Sequence, residues 1–383
     1  MKYIRLLIVF IVITSTILLY FPFKTEASGY ASASSAVLME QQSGRVLYEK
    51  KAHQVRRIAS ITKIMTAILA IESGKLNDTV KVSENAVRAA GSSIYLKPGE
   101  KIKLEDLVYG LMLRSGNDSA VAIAEHVGGS LDGFVYLMNQ KAEGIGMKNT
   151  HFANPHGLDD HEDHFSTAYD MALLTRYAMT NDTYKLIAGT KVHRAPNPTE
   201  NWDRVWKNKN RLLTELYDYT TGGKTGYTKR AKRTLVTTAT KDNLDLIAVT
   251  LNGPDDWNDH INMYEYGFKN YKLVNVLQEG TIKEVNEPFY KKRVYLKHDI
   301  LYPIASNERD LFKVEFKLQE PKDEWRKQEK EPDVVGKALI YFNHQLIEEE
   351  PLFYKQIKVK EDKSFFEHFR NLFHIHMGGD LDD

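Results

Sequence analysis

The segment RRIASITKIMTAILAIESG, residues 56–74, spaces its apolar residues as in a helix that packs one face against a core. Ser60 stands where this helix would begin, and Lys63 lies within the apolar face. Because residues three apart share one face of a helix, Ser60 and Lys63 can bring a hydroxyl and an amine into hydrogen-bonding reach. A base must remove the hydroxyl proton before serine becomes a good nucleophile. Lysine can be that base only when uncharged, and burial at a helix N-terminus lowers its pKa toward that state.

Ser-x-x-Lys is weak evidence alone, because a chain of 383 residues contains roughly one such match by chance. A serine that caps the helix, with a lysine that extends into solvent, would explain it equally well. Two further motifs follow: Ser115-Gly116-Asn117 at a predicted break between helices, and Lys224-Thr225-Gly226 at the start of a β run. A strand with a cation, a hydroxyl and a residue without a side chain suits a substrate bound by its backbone and terminal carboxylate.

These three motifs in this order are the known signature of penicillin-binding proteins and class A β-lactamases. The sequence resembles the low-molecular-mass penicillin-binding proteins, which are serine D-alanyl-D-alanine carboxypeptidases. The resemblance also rests on LMLRSGNDSAVAIAEHVGG, NPHGLDDHEDHFSTAYDMALL and TGGKTGYT, and it covers essentially the whole first domain. The sporulation-type enzyme of bacilli, which trims stem peptides of spore cortex peptidoglycan, is the subtype that looks most similar.

The resemblance implies a catalytic role for three residues. Ser60 attacks the carbonyl of the D-Ala-D-Ala bond with Lys63 as base, and Ser115 relays a proton to the leaving amine of D-alanine. Backbone N–H groups of Ser60 and Tyr227 form the oxyanion hole, and water then releases the acyl-enzyme. Penicillin acylates Ser60 by the same route and leaves slowly.

The resemblance also implies how the stem peptide binds. Asn117 orients the acyl side chain or Lys63, while Lys224 and Thr225 hold the terminal carboxylate on the strand that includes Gly226. The implied partners are a stem peptide that ends in D-Ala-D-Ala and β-lactams as covalent inhibitors. Neither a cofactor nor a metal is implied.

Composition narrows the function classes. With 52 basic and 51 acidic residues, the net charge disfavours nucleic acid as a partner. The chain contains no cysteine, so thiol chemistry and disulfide bonds are excluded.

Patterns along the chain predict an α+β catalytic domain at residues 34–275, with an antiparallel sheet and a cluster of helices. A hairpin is expected at 36–49, and three β runs are expected around TGGKTGYT and after it. Residues 276–360 alternate as in a small all-β domain, in which the charged stretch 319–333 is expected to be a solvated loop.

Both ends of the chain suggest contact with a membrane. A basic start, an apolar run and small residues predict a signal peptide at residues 1–27, cut after Ala27, although an uncleaved anchor stays open. An amphipathic helix is expected at 364–377, either in a membrane interface or packed on the β domain. The protein is therefore expected at the outer face of the membrane or secreted, and its sporulation-type likeness adds the space around the forespore.

Two other enzyme classes are open on the sequence. A β-lactamase would need a carboxylate to activate the deacylating water, and Glu162 lies in a suitable loop. His156, His161 and His164 suggest a metal enzyme, but their spacing matches no known ligand pattern, so exposed loop histidines are expected.

Two further alternatives concern the motifs themselves. Ser83-Glu84-Asn85 is a second Ser-x-Asn, and a capping serine explains it. A wall-binding or sensor protein could be acylated without turnover, because the motifs indicate acylation and not the rate of deacylation.

Overall fold

The computed structural model describes residues 31–197, 200–326 and 332–355, which form two compact units divided between Leu273 and Val274. The predicted signal peptide and the predicted helix at 364–377 lie outside the described residues. Among the helices that are described, none combines the length and the apolar character needed to span a bilayer.

The first unit is built on a five-stranded antiparallel sheet in the order β2-β1-β9-β8-β7. Two short antiparallel pairs, β3 with β4 and β5 with β6, lie outside this sheet. The strands are β1 (Ser35–Glu40), β2 (Val46–Lys50), β3 (Thr79–Lys81), β4 (Lys101–Lys103), β5 (Val192–Ala195), β6 (Arg204–Lys207), β7 (Thr220–Thr228), β8 (Lys232–Lys241) and β9 (Leu244–Leu251). The predicted hairpin and the three predicted β runs are confirmed.

Helices cover both faces of this sheet. Alternate residues of β1 face opposite sides, so Val37 and Met39 join the core of the helical cluster while Ala36 and Leu38 pack with the last helix of the unit. The helices are α1 (Lys63–Glu72), α2 (Glu84–Val87), α3 (Leu104–Tyr109), α4 (Asn117–Gly128), α5 (Leu131–Ile145), α6 (Ala168–Ala178), α7 (Asp182–Ala188) and α8 (Asp256–Asn270).

Helix α1 lies at the centre of the cluster and is buried on all sides from Lys63 to Ile71. The sequence predicted a single apolar face, and the difference arises because other helices surround α1. The predicted helix at 60–74 also differs at its start, since a 3-10 turn, Ala59–Thr62, precedes α1. A π-helical turn, Gly110–Arg114, follows α3. The predicted break lies between this turn and α4, where Ser115 is left-handed and Gly116 is extended, and it is confirmed. A second π-helical turn spans Leu212–Leu216.

The second unit is mainly β, with a five-stranded antiparallel sheet in the order β11-β12-β16-β15-β14 and a separate pair, β10 with β13. The strands are β10 (Lys272–Leu277), β11 (Gly280–Thr281), β12 (Val294–Leu296), β13 (Ile300–Ile304), β14 (Phe312–Leu318), β15 (Val334–Phe342) and β16 (Gln345–Tyr354). Short helical turns occur at Arg309–Leu311 and at α9 (Asp323–Arg326). The prediction of a solvated loop at 319–333 is wrong in part, since α9 forms there and Trp325 is buried. The predicted fold class, an α+β domain followed by a small all-β domain, is confirmed.

Candidate active site

The turn that carries Ser60 has an unusual backbone. Ala59, the residue before Ser60, adopts a left-handed conformation with φ of 50°. The hydroxyl of Thr234 on β8 donates to the carbonyl of Ile58 at 2.9 Å and thereby ties the turn to the sheet. Because the side chain of Ser60 caps no helix and contacts Lys63, the explanation of Ser60 as a helix cap is wrong.

Lys63 is fully buried, and its Nζ is hydrogen-bonded to three oxygen atoms. The distances are 2.9 Å to Ser60 Oγ, 2.7 Å to Asn117 Oδ1 and 2.6 Å to the His156 carbonyl. Burial lowers the pKa of Lys63 well below its ordinary value, and the nearby charge of Lys224 lowers it further. The alternative in which Lys63 extends into solvent is therefore wrong. The site places an amine of reduced basicity against the serine hydroxyl.

The second motif follows the π-helical turn at the start of α4. Ser115 takes a left-handed conformation with φ of 65°, which directs the chain into α4 at Asn117. The Asn117 backbone N–H donates to the Ser92 carbonyl at 2.7 Å, and its side-chain amide donates to the Ala90 carbonyl. These bonds fix Asn117 so that Oδ1 faces Lys63.

The third motif lies on β7, the last strand in the sheet order. Lys224 is buried, and its Nζ donates to Ser115 Oγ at 3.1 Å and to the Thr225 carbonyl at 2.7 Å. Burial lowers the pKa of Lys224 to about 7, with a further contribution from Lys209. A Cβ at Gly226 would lie 3.0 Å from the backbone nitrogen of Ser60, so this strand runs directly against the turn that carries Ser60.

The structure thus brings the three motifs into one pocket. Side-chain hydrogen bonds connect Ser60, Lys63 and Asn117, and a separate bond connects Ser115 with Lys224. Thr225 and Gly226 reach the pocket through their position on β7. Tyr227, the next residue of this strand, is 63% exposed.

Sequence reasoning missed two charged residues around the pocket. Lys209 contributes positive charge that lowers the pKa of both motif lysines, and neither a motif nor a periodic pattern marks it. Asp118 is buried and accepts hydrogen bonds from Ser93 and from the backbone of Ile94 and Leu96. Its place directly after Asn117 was a signal that could have identified it.

Ser83 and Asn85 of the other Ser-x-Asn motif lie outside this network. Ser83 caps α2 by accepting from the Ala86 N–H at 3.0 Å, as the sequence predicted. Both Ser83 and Asn85 donate to the carboxylate of Glu125.

The loop at 153–164 packs against Ala59–Thr62, the turn that carries Ser60. The Asn154 side chain accepts from the backbone of His156 and Gly157 and shapes the loop internally. Gly157 has φ of +87°, and a Cβ there would lie 1.9 Å from the Ala59 carbonyl oxygen. Only glycine therefore allows this close approach of the two backbones.

The expectation of exposed loop histidines is wrong for two of the three. His156 and His164 are buried, and only His161 is exposed. The Nδ1 atoms of His156 and His164 accept from backbone N–H groups of Leu158 and Ala153. Within the described part of the chain, no group of three or more His, Asp or Glu side chains is arranged to hold a metal ion.

Glu162 is exposed and is held by two arginines. Its carboxylate bonds to Arg57 at 2.7 Å and to Arg230 at 2.6 and 2.8 Å. The hydrogen bonds from Arg230 lower the pKa of Glu162 to about 2. A carboxylate engaged by two guanidinium groups is a poor base for deacylation, which disfavours the β-lactamase alternative.

Comparisons with known proteins agree with this geometry. Residues 23–255 match the family profile of D-alanyl-D-alanine carboxypeptidase, peptidase S11, and residues 271–360 match the C-terminal domain of penicillin-binding protein 5. D-alanyl-D-alanine carboxypeptidase DacF of Bacillus subtilis is 39% identical over 249 residues, which are 63% of this chain and 63% of DacF. The match thus spans slightly less than two thirds of that relative's length.

Solved structures are similar over more of the chain. Penicillin-binding protein 5 from Haemophilus influenzae has a TM-score of 0.69 at 28% identity and covers 85% of this chain and 97% of its own. D-alanyl-D-alanine carboxypeptidase DacD from Francisella tularensis has a TM-score of 0.64 at 27% identity, and the match covers 88% of this chain and 96% of the DacD chain. The chain therefore belongs to the D-alanyl-D-alanine carboxypeptidase family, peptidase S11, and carries a C-terminal domain of the penicillin-binding protein 5 type.

Proposed function

We propose that this protein is a serine carboxypeptidase that removes the terminal D-alanine from peptidoglycan stem pentapeptides. The observation that carries the proposal is the buried Nζ of Lys63, 2.9 Å from Ser60 Oγ. Burial and the charge of Lys224 lower the pKa of Lys63, which favours the neutral amine that can accept a proton.

Acylation begins when Lys63 takes the hydroxyl proton and Ser60 Oγ attacks the carbonyl carbon of the D-Ala-D-Ala bond. Backbone N–H groups of Ser60 and Tyr227 stabilise the oxyanion of the tetrahedral intermediate. The C–N bond then breaks, and the leaving amine receives a proton through Ser115. Water attacks the resulting ester, the ester bond breaks, and Ser60 Oγ regains a proton.

The substrate binds along β7. An extended peptide adds to the outer side of the last strand by main-chain hydrogen bonds, in the manner of an added β-strand. Lys224 and Thr225 hold the terminal carboxylate, and Lys209 adds positive charge that attracts this carboxylate. Asn117 keeps Lys63 oriented toward Ser60 through its bond to Nζ.

Penicillin offers the same carbonyl chemistry and acylates Ser60 through its β-lactam ring. The ring C–N bond breaks as the ester to Ser60 forms, and the released nitrogen stays tethered to the acyl group instead of leaving the site. The tethered group hinders the attack of water, so hydrolysis of this ester is slow. The same pocket therefore accounts for both turnover of peptide and inhibition by β-lactams.

The test combines peptide and penicillin. Purified protein incubated with a peptide that ends in D-Ala-D-Ala should release free D-alanine, and Ser60→Ala should reduce release by about 10⁴-fold or more. Penicillin should add its mass to the peptide that contains Ser60. An unmodified Ser60 in folded protein refutes the assignment, whereas acylation without D-alanine release favours the sensor alternative.

We also propose that the protein acts outside the cytoplasmic membrane in cell-wall maturation, with the spore cortex as its place of action. The predicted signal peptide supports export, and the likeness to the sporulation-type enzyme supports the cortex. The lysines near the predicted helix at 364–377 support contact with a membrane surface. A strain without the protein should keep pentapeptide stems in the cortex, and persistence only in the vegetative wall contradicts that location.

A further inference from the structure

The strained turn before Ser60 needs support from its surroundings. A residue other than glycine rarely adopts positive φ, and such a conformation persists only where neighbouring groups impose it. Ala59 is buried with φ of 50°, and its carbonyl oxygen accepts a hydrogen bond from Thr62 Oγ1 at 2.8 Å. This bond closes the turn that presents Ser60.

The direction of the hydrogen bond between His164 and Thr62 follows from which ring nitrogen of the histidine carries a proton. The Ala153 backbone N–H donates to His164 Nδ1 at 3.0 Å, so Nδ1 carries no proton. A neutral imidazole then carries its proton on Nε2, which lies 2.8 Å from Thr62 Oγ1. Because the hydroxyl proton of Thr62 points to Ala59, Nε2–H of His164 must donate to Thr62 Oγ1. The donors thus run in one direction from Ala153 to the carbonyl of Ala59.

His164 is 2% exposed, and its surroundings keep the ring neutral. Burial is the main cause that lowers the pKa of His164 to about 3. The neighbouring His151, His161 and Arg57 lower this pKa further, whereas Asp163 raises it. A proton on Nδ1 would also face the N–H of Ala153. The ring therefore holds one tautomer over the physiological range of pH.

The same loop also holds helix α1 at two more points. The carbonyl of Pro155 accepts from Thr66 Oγ1 at 2.6 Å, and the carbonyl of His156 accepts from Lys63 Nζ at 2.6 Å. These two contacts use backbone atoms of the loop. The bond between His164 and Thr62 joins a side chain of the loop to the turn Ala59–Thr62 itself, whereas the side chain of Glu162 bonds to Arg57 just before that turn.

We propose that His164 is a positioning residue that acts through Thr62 to hold the Ala59 carbonyl, and thereby Ser60 Oγ, in line with Lys63. This role rests on the proposed function of Ser60 as nucleophile. His164 contacts neither substrate nor reacting atoms. Its effect is on the geometry of the acylation step and not on binding of the substrate carboxylate.

Two substitutions of His164 separate its two nitrogen atoms. Gln places an N–H near the position of Nε2 and keeps a donor to Thr62, whereas Asn places an oxygen near Nδ1 and keeps only the acceptor for Ala153. The measurement is the acylation rate by benzylpenicillin at saturation, with the dissociation constant of the initial complex as a second readout. His164→Asn should slow acylation by about ten- to a hundredfold with little change in that constant, and His164→Gln should restore most of the rate.

Substitution of Thr62 tests the same contact from the other side. Thr62→Val removes the hydroxyl at nearly constant volume and should slow acylation to a similar degree, whereas Thr62→Ser should retain the rate. If His164 acts through Thr62, adding His164→Asn to Thr62→Val should cause no further loss. These variants also provide the answer if His164→Asn fails to fold.

His260 provides a matched control. It is fully buried, and its ring nitrogens contact the hydroxyls of Thr237 at 2.6 Å and Thr250 at 3.0 Å, neither of which belongs to the turn Ala59–Thr62. His260→Asn should lower the melting temperature and leave the acylation rate of folded protein unchanged. Acylation by His164→Asn at the wild-type rate, or equal losses in the Asn and Gln variants, overturns the proposal. Wild-type protein that is not acylated instead overturns the proposed function.

Discussion

The two buried lysines of the site are surrounded by neutral oxygen acceptors. Lys63 is hydrogen-bonded to a hydroxyl, an amide and a carbonyl, and Lys224 is hydrogen-bonded to a hydroxyl and a carbonyl. A neutral Lys63 satisfies these partners by donating its two N–H groups to the Asn117 and His156 oxygens and accepting from the Ser60 hydroxyl. Uncharged partners do not offset the cost of burying a charge. The arrangement therefore favours the base form of Lys63 at the expense of stability at low pH.

Replacement of Lys63 by Met should reveal this cost as a pH dependence of stability. Folding lowers the pKa of Lys63, so between that value and the unfolded value of about 10.4 the unfolded chain binds one more proton. Raising the pH through this window should stabilise the wild type relative to Lys63→Met by up to about 1.4 kcal/mol per pH unit. Denaturant unfolding at pH 7, 8 and 9 measures the difference. Parallel curves for the two proteins would show that Lys63 is charged when folded.

At the level of elements, the site depends on a loop that lies directly against the turn before α1. The loop meets the turn backbone to backbone at Gly157, and it is fixed to α1 by hydrogen bonds from Lys63 and Thr66. A displacement of the loop would therefore move Ser60 and Lys63 together.

Gly157→Ala should disrupt this contact. The new Cβ would meet the Ala59 carbonyl at 1.9 Å, and φ of +87° is unfavourable for alanine. We expect a loss of about 3 kcal/mol in unfolding free energy together with a large loss of penicillin acylation. Gly144→Ala on α5 is the control, because its Cβ would meet nothing within 4 Å, and it should gain about 0.5–1 kcal/mol. Thermal unfolding and acylation rates of both variants check this, and wild-type behaviour of Gly157→Ala contradicts it.

For the whole molecule, the sequence was informative where the signal was local. Helical spacing identified the region of α1, and turn residues with β-rich runs predicted β7, β8 and β9. The three motifs predicted which side chains lie together at the site, because the chemistry of each motif is recognisable in a short stretch of sequence.

The parts that sequence reasoning missed depend on packing between distant segments. The contact of His164 with Thr62 joins residues 102 positions apart, and neither residue belongs to a periodic pattern. Lys209 affects the pocket only because the fold places its charge near Lys224. Burial of α1 on every side could likewise not be predicted from the sequence, because it depends on which helices surround α1.

The molecule as a whole is almost neutral, with a formal net charge of +1, yet several lysine and arginine side chains lie close together around its site. Burial lowers the pKa of Lys63, Lys224 and Lys209. The charge of Lys209 lowers the first two further, and the charge of Arg114 lowers that of Lys209. A ligand that carries a carboxylate would supply the missing counter-ion and raise the pKa of Lys224 from about 7.

Ligand binding above neutral pH must then draw protons from the solvent. Calorimetry of Ser60→Ala with an acyl-D-Ala-D-Ala peptide at pH 8 should give binding heats that change with the ionisation enthalpy of the buffer. The peptide amide, which lacks the negative charge, should give no such change, and equal behaviour of the two ligands would contradict this coupling. Affinity for the peptide should therefore weaken as alkalinity increases, even though the same alkalinity favours the free base at Lys63.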